Sequence, residues 1–120
     1  MDGADDKKIN PGNTGGTVDC GGFTVSFVRA DHSSSFNTGE ERAVYLGNPL
    51  GLILHFPDGK SVYHMGDTDI FSDMELFCEI HQPKIVFVPI GDRFTMGPDT
   101  AAMAAKWLGV RQVVPMHFGT

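Results

Sequence analysis

Apolar and polar side chains alternate over residues 17–28, the first part of the chain with a clear secondary-structure pattern. Residues 23–28 read Phe-Thr-Val-Ser-Phe-Val, and a Gly21-Gly22 pair separates them from a shorter alternating run that starts at Thr17. Alternation with period two is typical of a strand with one buried face, and paired glycines are typical of a tight turn. The pattern therefore predicts a β-hairpin. Its apolar face consists of Phe23, Val25 and Phe27.

A second hairpin is predicted over residues 50–64. Two apolar runs, 50–56 and 61–64, flank the tetrapeptide Pro57-Asp58-Gly59-Lys60. Asp-Gly between two apolar runs is among the strongest short-range hairpin signals, because glycine supplies the positive φ that a tight turn needs.

The chain after the second hairpin alternates helical and strand patterns. Helical spacing of apolar residues predicts a helix over 71–81 and another over 99–108. Residues 84–90 form a continuous apolar run and 111–116 a shorter one, both typical of buried strands. Two hairpins followed by helix, strand, helix and strand predict an α/β (α+β) fold, a mixed sheet with helices on one face. The second face of that sheet is left to be covered.

Two segments fall outside these elements. Residues 1–13 contain almost nothing apolar, which predicts a polar tail or surface loop ahead of a domain over 14–120. Residues 31–49 are rich in Ser, Gly, Asn and Glu, and we expect them to form a long functional loop.

Charge and composition argue against several classes of function. The 120 residues carry a formal net charge of -6 and 41% hydrophobic side chains. An acidic surface disfavours nucleic acids and anionic membranes, and no apolar run is long enough to span a bilayer. The N-terminus lacks the pattern of a signal peptide, so we expect a cytoplasmic location. Cys20 and Cys78 belong to no Cys-x-x-Cys pair, which favours reduced thiols.

Three side chains at predicted strand ends could bind a metal ion. His32, Asp67 and His117 each follow an apolar run. Imidazoles and a carboxylate suit Zn²⁺, Mn²⁺ or Fe²⁺ in a site left open for water, and such a metal activates water to attack esters, lactones or phosphoesters. A lone histidine at a strand end is more often a hydrogen-bonded structural residue, so the shared placement carries the hypothesis.

Five further residues could support the ligands or contact a substrate. His64 either supports the site or is a packed, hydrogen-bonded histidine. Ser33 and Ser34 either bind substrate oxygens or satisfy the backbone of their loop. Arg93, in the loop before the second helix, either binds an anionic group or is a solvated surface residue. Thr68, beside Asp67, is the fifth residue that could support the ligands or contact a substrate.

Several motifs, in order, resemble the metallo-β-lactamase superfamily. The closest likeness is to its uncharacterised metal-dependent hydrolase branch, which is related to the ascorbate-6-phosphate lactonases. The resemblance runs from about residue 13 to the last residue. The motifs are Asn13-Thr14-Gly15-Gly16-Thr17, Ala30-Asp31-His32-Ser33-Ser34, Tyr63-His64-Met65-Gly66-Asp67-Thr68, Val88-Pro89-Ile90-Gly91, Phe94-Thr95-Met96-Gly97-Pro98 and Pro115-Met116-His117-Phe118-Gly119-Thr120.

The resemblance implies a fold and a metal site. The family fold is a four-layer αβ/βα sandwich of two similar halves, with a dinuclear site, two Zn expected and Mn or Fe possible. By resemblance, His32 ligates one metal, His117 the other, and Asp67 is the bridging, catalytic carboxylate. The implied reaction is hydrolysis of a lactone, ester or phosphoester bond in a small-molecule substrate by a metal-activated water.

One departure from the family changes these expectations. The family's His-x-His-x-Asp-His motif does not occur in the sequence, so the chain resembles the C-terminal half of the enzyme. We expect the isolated chain to be inactive and its metal absent or partly occupied. We expect the bare sheet face to bind the missing N-terminal half or another copy of the chain. The alternative function is a non-catalytic, self-associating module that keeps the fold but not the metal site.

Overall fold

Six strands form one mixed sheet, and two more form a separate hairpin. The computed structural model describes residues 5–39 and 42–119. The strands of the large sheet are β1 (Thr17–Asp19), β2 (Thr24–Arg29), β5 (Leu50–His55), β6 (Ser61–His64), β7 (Ile85–Pro89) and β8 (Gln112–Met116). The hairpin consists of β3 (Ser35–Asn37) and β4 (Ala43–Tyr45), and the helices are α1 (Met74–His81) and α2 (Pro98–Leu108).

The sheet has the order β1-β2-β5-β6-β7-β8. The first four strands form two hairpins that also pair antiparallel with each other, through β2 and β5. Strands β6, β7 and β8 pair in parallel, and α1 and α2 connect them. Because β5 runs opposite to both of its neighbours, β2, β6, β7 and β8 all point the same way. The carboxyl ends of these four strands therefore meet at one edge of the sheet.

One face of the sheet carries the helices and the hydrophobic core. Both helices pack there, and the core side chains lie at alternate positions of the central strands, as the pleat requires. The predicted mixed sheet with helices on one face is confirmed. The sheet contributes Val28, Ile53, Tyr63, Val86 and Val88, and the helices contribute Met74, Ala101, Ala104 and Leu108.

The opposite face is apolar and only partly buried. Val62 pairs with Leu54 on one side and with Ile85 on the other, so the three side chains share this face, and each is half-buried. Phe87 pairs with Val114, which is 38% exposed. Neither α1 nor α2 covers this face, which we call the uncovered face.

The structure corrects two details of the predicted elements. The connection over 31–49 is not a simple loop, because β3 pairs with β4 inside it. The first helix begins at Met74 and not at Phe71, because Phe71 is buried in a tight turn whose carbonyl accepts from the Met74 amide (3.2 Å).

Some of the predicted ranges extend beyond the part of the chain that the structure describes. The predicted tail includes residues 1–4, the predicted loop includes residues 40–41, and the predicted domain ends at residue 120, all outside it. Residues 5–11 are exposed, while Gly12 lies so close to the Phe27 ring that a Cβ there would clash with it. Within the described ranges, neither helix combines the length and apolarity needed to cross a membrane.

Candidate metal centre

Asp67 and His117 meet at the edge where the parallel strands end. Asp67 follows β6 and His117 directly follows β8, with β7 between the two strands. The Nε2 atom of His117 lies 3.5 Å from Oδ2 of Asp67. The His117 backbone has a φ of 52°, a left-handed conformation that few non-glycine residues adopt. The chain therefore turns sharply after β8.

The environment of His117 is unusual for a structural histidine. Its side chain is 26% exposed, and its buried Nδ1 atom has no hydrogen-bond partner among the residues that the structure describes. The 3.5 Å contact with Asp67 is long for a hydrogen bond. It is close to the distance, about 3.3 Å, that separates two N or O ligands of one tetrahedral zinc ion. The spacing of the two atoms is therefore compatible with two ligands of one metal ion.

His32 lies on the loop after β2, at the same edge of the sheet. Its Nδ1 atom is 2.6 Å from the carbonyl oxygen of Ser33. A carbonyl only accepts, so Nδ1 is the donor, and a neutral imidazole then keeps its lone pair on Nε2, the form in which histidine binds metals. Over residues 5–39 and 42–119, however, no three His, Cys, Asp or Glu side chains gather closely enough to hold a metal ion. The structure brings Asp67 and His117 together and does not bring His32 to them.

The neighbouring Asp31 forms an exposed ion pair with Arg29 at the start of the loop that carries His32. The Asp31 carboxylate accepts from Nε and from one terminal nitrogen of Arg29, at 2.9 Å and 2.8 Å. Hydrogen bonding and the charge of Asp31 raise the pKa of Arg29 above its ordinary value. The guanidinium also reaches Asp73 (3.4 Å), 44 residues away, and lies over the Phe71 ring. Because Asp31 is paired in this way, His32 is the better placed of the two as a ligand.

A cavity of about 440 Å³ opens beside His32. It is lined by Thr14, Arg29, Ala30, Asp31, His32, Asn48 and Pro49. No pattern in the sequence pairs Arg29 with Asp73 or brings Asn48 to this cavity, so these residues were not predicted. The Arg29–Asp73 contact joins the end of β2 to the segment before α1, and Asn48 reaches the cavity from the connection between β2 and β5.

The remaining predicted residues are spread around the site. His64 projects on the uncovered face, where its ring stacks on Phe87 and its Nδ1 accepts from the Gly66 amide (3.2 Å). Arg93 lies in the loop after β7, exposed, with its guanidinium over the Phe94 ring.

The serines and Thr68 belong to the loop framework. The carbonyls of Ser33 and Ser34 accept from His32 and from the Leu46 amide, contacts that hold the backbone of their loop. Thr68 is fully buried between loops. The roles predicted for these residues and for the three metal ligands stay predictions.

The fold and the site define a class of protein. A mixed sheet with helices on one face, and with a carboxylate and an imidazole at the carboxyl ends of its strands, matches the fold of a metallo-β-lactamase half-domain. The chain belongs to the beta-lactamase superfamily domain family, whose sequence model matches residues 2–118.

Relatives agree with this assignment. The chain is 65% identical over 119 residues to a UPF0173 metal-dependent hydrolase of Mesorhizobium japonicum, covering 98% of the chain and 51% of the relative. It is 60% identical to a UPF0173 metal-dependent hydrolase of Chelativorans, covering 98% of the chain and 50% of that protein. The chain therefore spans about half the length of the curated relatives it matches.

A solved structure shows the same fold. Igni18, a metallo hydrolase from the archaeon Ignicoccus hospitalis, superimposes with a TM-score of 0.73 at 35% identity, covering 90% of this chain and 44% of that one. The narrower likeness to ascorbate-6-phosphate lactonases stays a prediction.

Proposed function

We propose that this chain forms part of a metal-dependent hydrolase and supplies metal ligands from Asp67, His117 and His32. The observation that carries the proposal is the contact between His117 Nε2 and Asp67 Oδ2, 3.5 Å apart at the ends of β8 and β6. The names of the relatives as metal-dependent hydrolases support the same activity.

The chemistry follows from the donor set. A bound divalent metal ion supplies Lewis-acid activation of water near neutral pH, which suits hydrolysis of a lactone, ester or phosphoester. In this chain Asp67 provides a negative charge beside His117, and the tautomer of His32 leaves Nε2 free. Two Zn ions are the proposed cofactor, with Mn or Fe as alternatives, and Asp67, His117 and His32 would be among the residues that hold them. Three donors are too few to hold two dications.

The other donors are proposed to come from a second sheet packed on the uncovered face. Half-buried apolar side chains cover that face, and the curated relatives are about twice as long as this chain. Packing of a second layer would remove this apolar surface from water and close the edge that carries Asp67. The proposed partner is therefore the N-terminal half of a protein as long as the curated relatives.

Metal analysis of two alanine variants tests the ligand assignment. The chain is combined with the N-terminal half of the Mesorhizobium japonicum relative, and bound metal is measured by plasma mass spectrometry after gel filtration. Asp67→Ala is expected to lower the metal content severalfold because it removes a proposed metal ligand. His64→Ala removes an imidazole that is not a proposed ligand, and it is expected to change the metal content of the assembled fraction much less.

Two results would contradict the proposal. Equal or reversed losses in the two variants would overturn the assignment of Asp67. An assembled wild-type protein without stoichiometric metal would instead indicate the non-catalytic, self-associating module.

A further inference from the structure

Thr68 is a fully buried polar side chain between two loops of the candidate metal centre. Its hydroxyl accepts from the Asp31 amide at 2.9 Å and donates to the Asp69 carbonyl at 2.8 Å. Asp31 precedes His32 and Thr68 follows Asp67, so one hydroxyl joins the loops that carry two of the proposed ligands. Both hydrogen-bonding directions of the hydroxyl are used.

Backbone contacts extend this connection to a third loop. The Asp69 amide donates to the Asp31 carbonyl at 2.9 Å, beside the hydroxyl contact. The Met96 amide, from the loop after β7, donates to the Thr68 carbonyl at 3.1 Å. Thr68 thus contacts the loops that follow β2 and β7 from its own place after β6.

We propose that Thr68 is a positioning residue that sets the His32 loop against Asp67. This inference rests on the proposed function, because it assumes that both residues bind metal. A hydroxyl with no exposed surface and two satisfied bonds is unavailable to a substrate, so its role is to hold the loops. Groups that orient metal ligands affect metal affinity by about 10-fold to 100-fold when they are lost.

Two substitutions at Thr68 distinguish the effect of losing the hydroxyl from the effect of changing the shape of the side chain. Thr68→Val keeps the branched shape but leaves the Asp31 amide without its acceptor, whereas Thr68→Ser keeps the hydroxyl. The variants are compared in the chain assembled with the N-terminal half of the Mesorhizobium japonicum relative. Mn²⁺ alone is the probe, and its dissociation constant is measured at temperatures where thermal unfolding shows each variant fully folded. Amide hydrogen exchange of Asp31 is measured without metal.

Thr68→Val is expected to weaken Mn²⁺ binding by about 10-fold or more and to speed exchange at Asp31. Thr68→Ser is expected to stay within about twofold of wild type in both measurements. Thr100→Val is the control for the chemical change, since the exposed Thr100 hydroxyl donates only to the Gly97 carbonyl (3.1 Å). A purely structural role would lower the melting temperature of Thr68→Val and leave the Mn²⁺ affinity of the folded protein unchanged, which would overturn the proposal.

The exchange measurement also separates this inference from the proposed function. If wild type binds no Mn²⁺, the proposed function fails, and so does the ligand-positioning role of Thr68. If wild type binds Mn²⁺ and Thr68→Val binds it equally well, only the positioning role fails. Unchanged exchange at Asp31 in Thr68→Val would show that the hydroxyl does not hold the His32 loop at all.

Discussion

His81, the last residue of α1, lies beside His55 at the opposite edge of the sheet from the metal centre. The two ring centroids are 5.3 Å apart. The Ser61 hydroxyl donates to the His81 carbonyl at 2.8 Å, and the Ser26 hydroxyl lies 3.0 Å from Nε2 of His55. Burial, and secondarily the nearby His55, lower the pKa of His81. The fold therefore favours the neutral imidazole.

This lowered pKa predicts a loss of stability in mild acid. Between the folded and unfolded pKa values of His81, the unfolded chain binds more protons, so the free energy of unfolding falls as the pH drops below about 6.5. Urea unfolding at pH 7.5 and pH 5.5 measures the difference. His81→Gln is expected to make stability less dependent on pH over this interval. An unchanged dependence in the variant would assign the effect to another group.

The three proposed ligands could be predicted from the sequence only in part. Asp67 and His117 follow apolar runs, and two parallel strands bring their ends to one edge, so their proximity follows from the element order. The orientation of the His32 ring does not follow, because it depends on a contact with the next carbonyl. The contact between Arg29 and Asp73 joins residues far apart in sequence, which no local pattern indicates.

At the scale of elements, the β5–β6 hairpin carries Asp67 to the site through Gly66. Gly66 has a φ of 69°, and a Cβ there would lie 2.9 Å from the Leu50 carbonyl oxygen. Gly59, in the turn of the same hairpin, has a similar φ of 79°, but nothing lies within 4 Å of its Cβ position. The two glycines share a backbone conformation and differ in the space around them.

Alanine substitutions at these two positions are predicted to differ in stability. Gly59→Ala is expected to cost about 1 kcal/mol, the penalty of a left-handed conformation for a residue with a Cβ. Gly66→Ala is expected to cost about 2 kcal/mol or more, because the backbone near Leu50 must also shift. Urea unfolding of the chain measures both. Equal costs would mean that the close approach at Gly66 is easily relieved.

The elements differ in how well the sequence predicts them. Both hairpins of the large sheet were predicted because glycines mark their turns and their strands alternate. The β3–β4 hairpin was missed because each strand has three residues and its central pair, Phe36 and Val44, remains exposed at 60% and 49%. Three residues are too few for an alternation of apolar and polar positions to be recognised in the sequence.

At the scale of the whole molecule, the uncovered face is apolar, and neither α1 nor α2 packs on it. A cavity of about 480 Å³ lies on it, lined in part by Val62, Ile85 and Gln112, which share one row of the sheet. By contrast, Ile80 is 68% exposed on α1, on the helix side of the sheet. The two isoleucines allow a matched comparison.

Assembly with the N-terminal half of the Mesorhizobium japonicum relative is predicted to depend on Ile85 and not on Ile80. Ile85→Glu is expected to weaken assembly by about 10-fold or more, because a carboxylate would be buried without a partner. Ile80→Glu is expected to leave it unchanged. Sedimentation velocity of each mixture measures the affinity. Assembly of Ile85→Glu at wild-type strength, or a stable dimer of the chain alone that excludes the added half, would contradict the prediction.

The incomplete donor set at the strand ends has a thermodynamic consequence. If a metal ion binds donors from both halves, it holds them together as well as serving the reaction. Linkage then requires that metal strengthens the association of the halves by the same factor by which association strengthens metal binding. We therefore expect a chelator to weaken the association of this chain with the added N-terminal half.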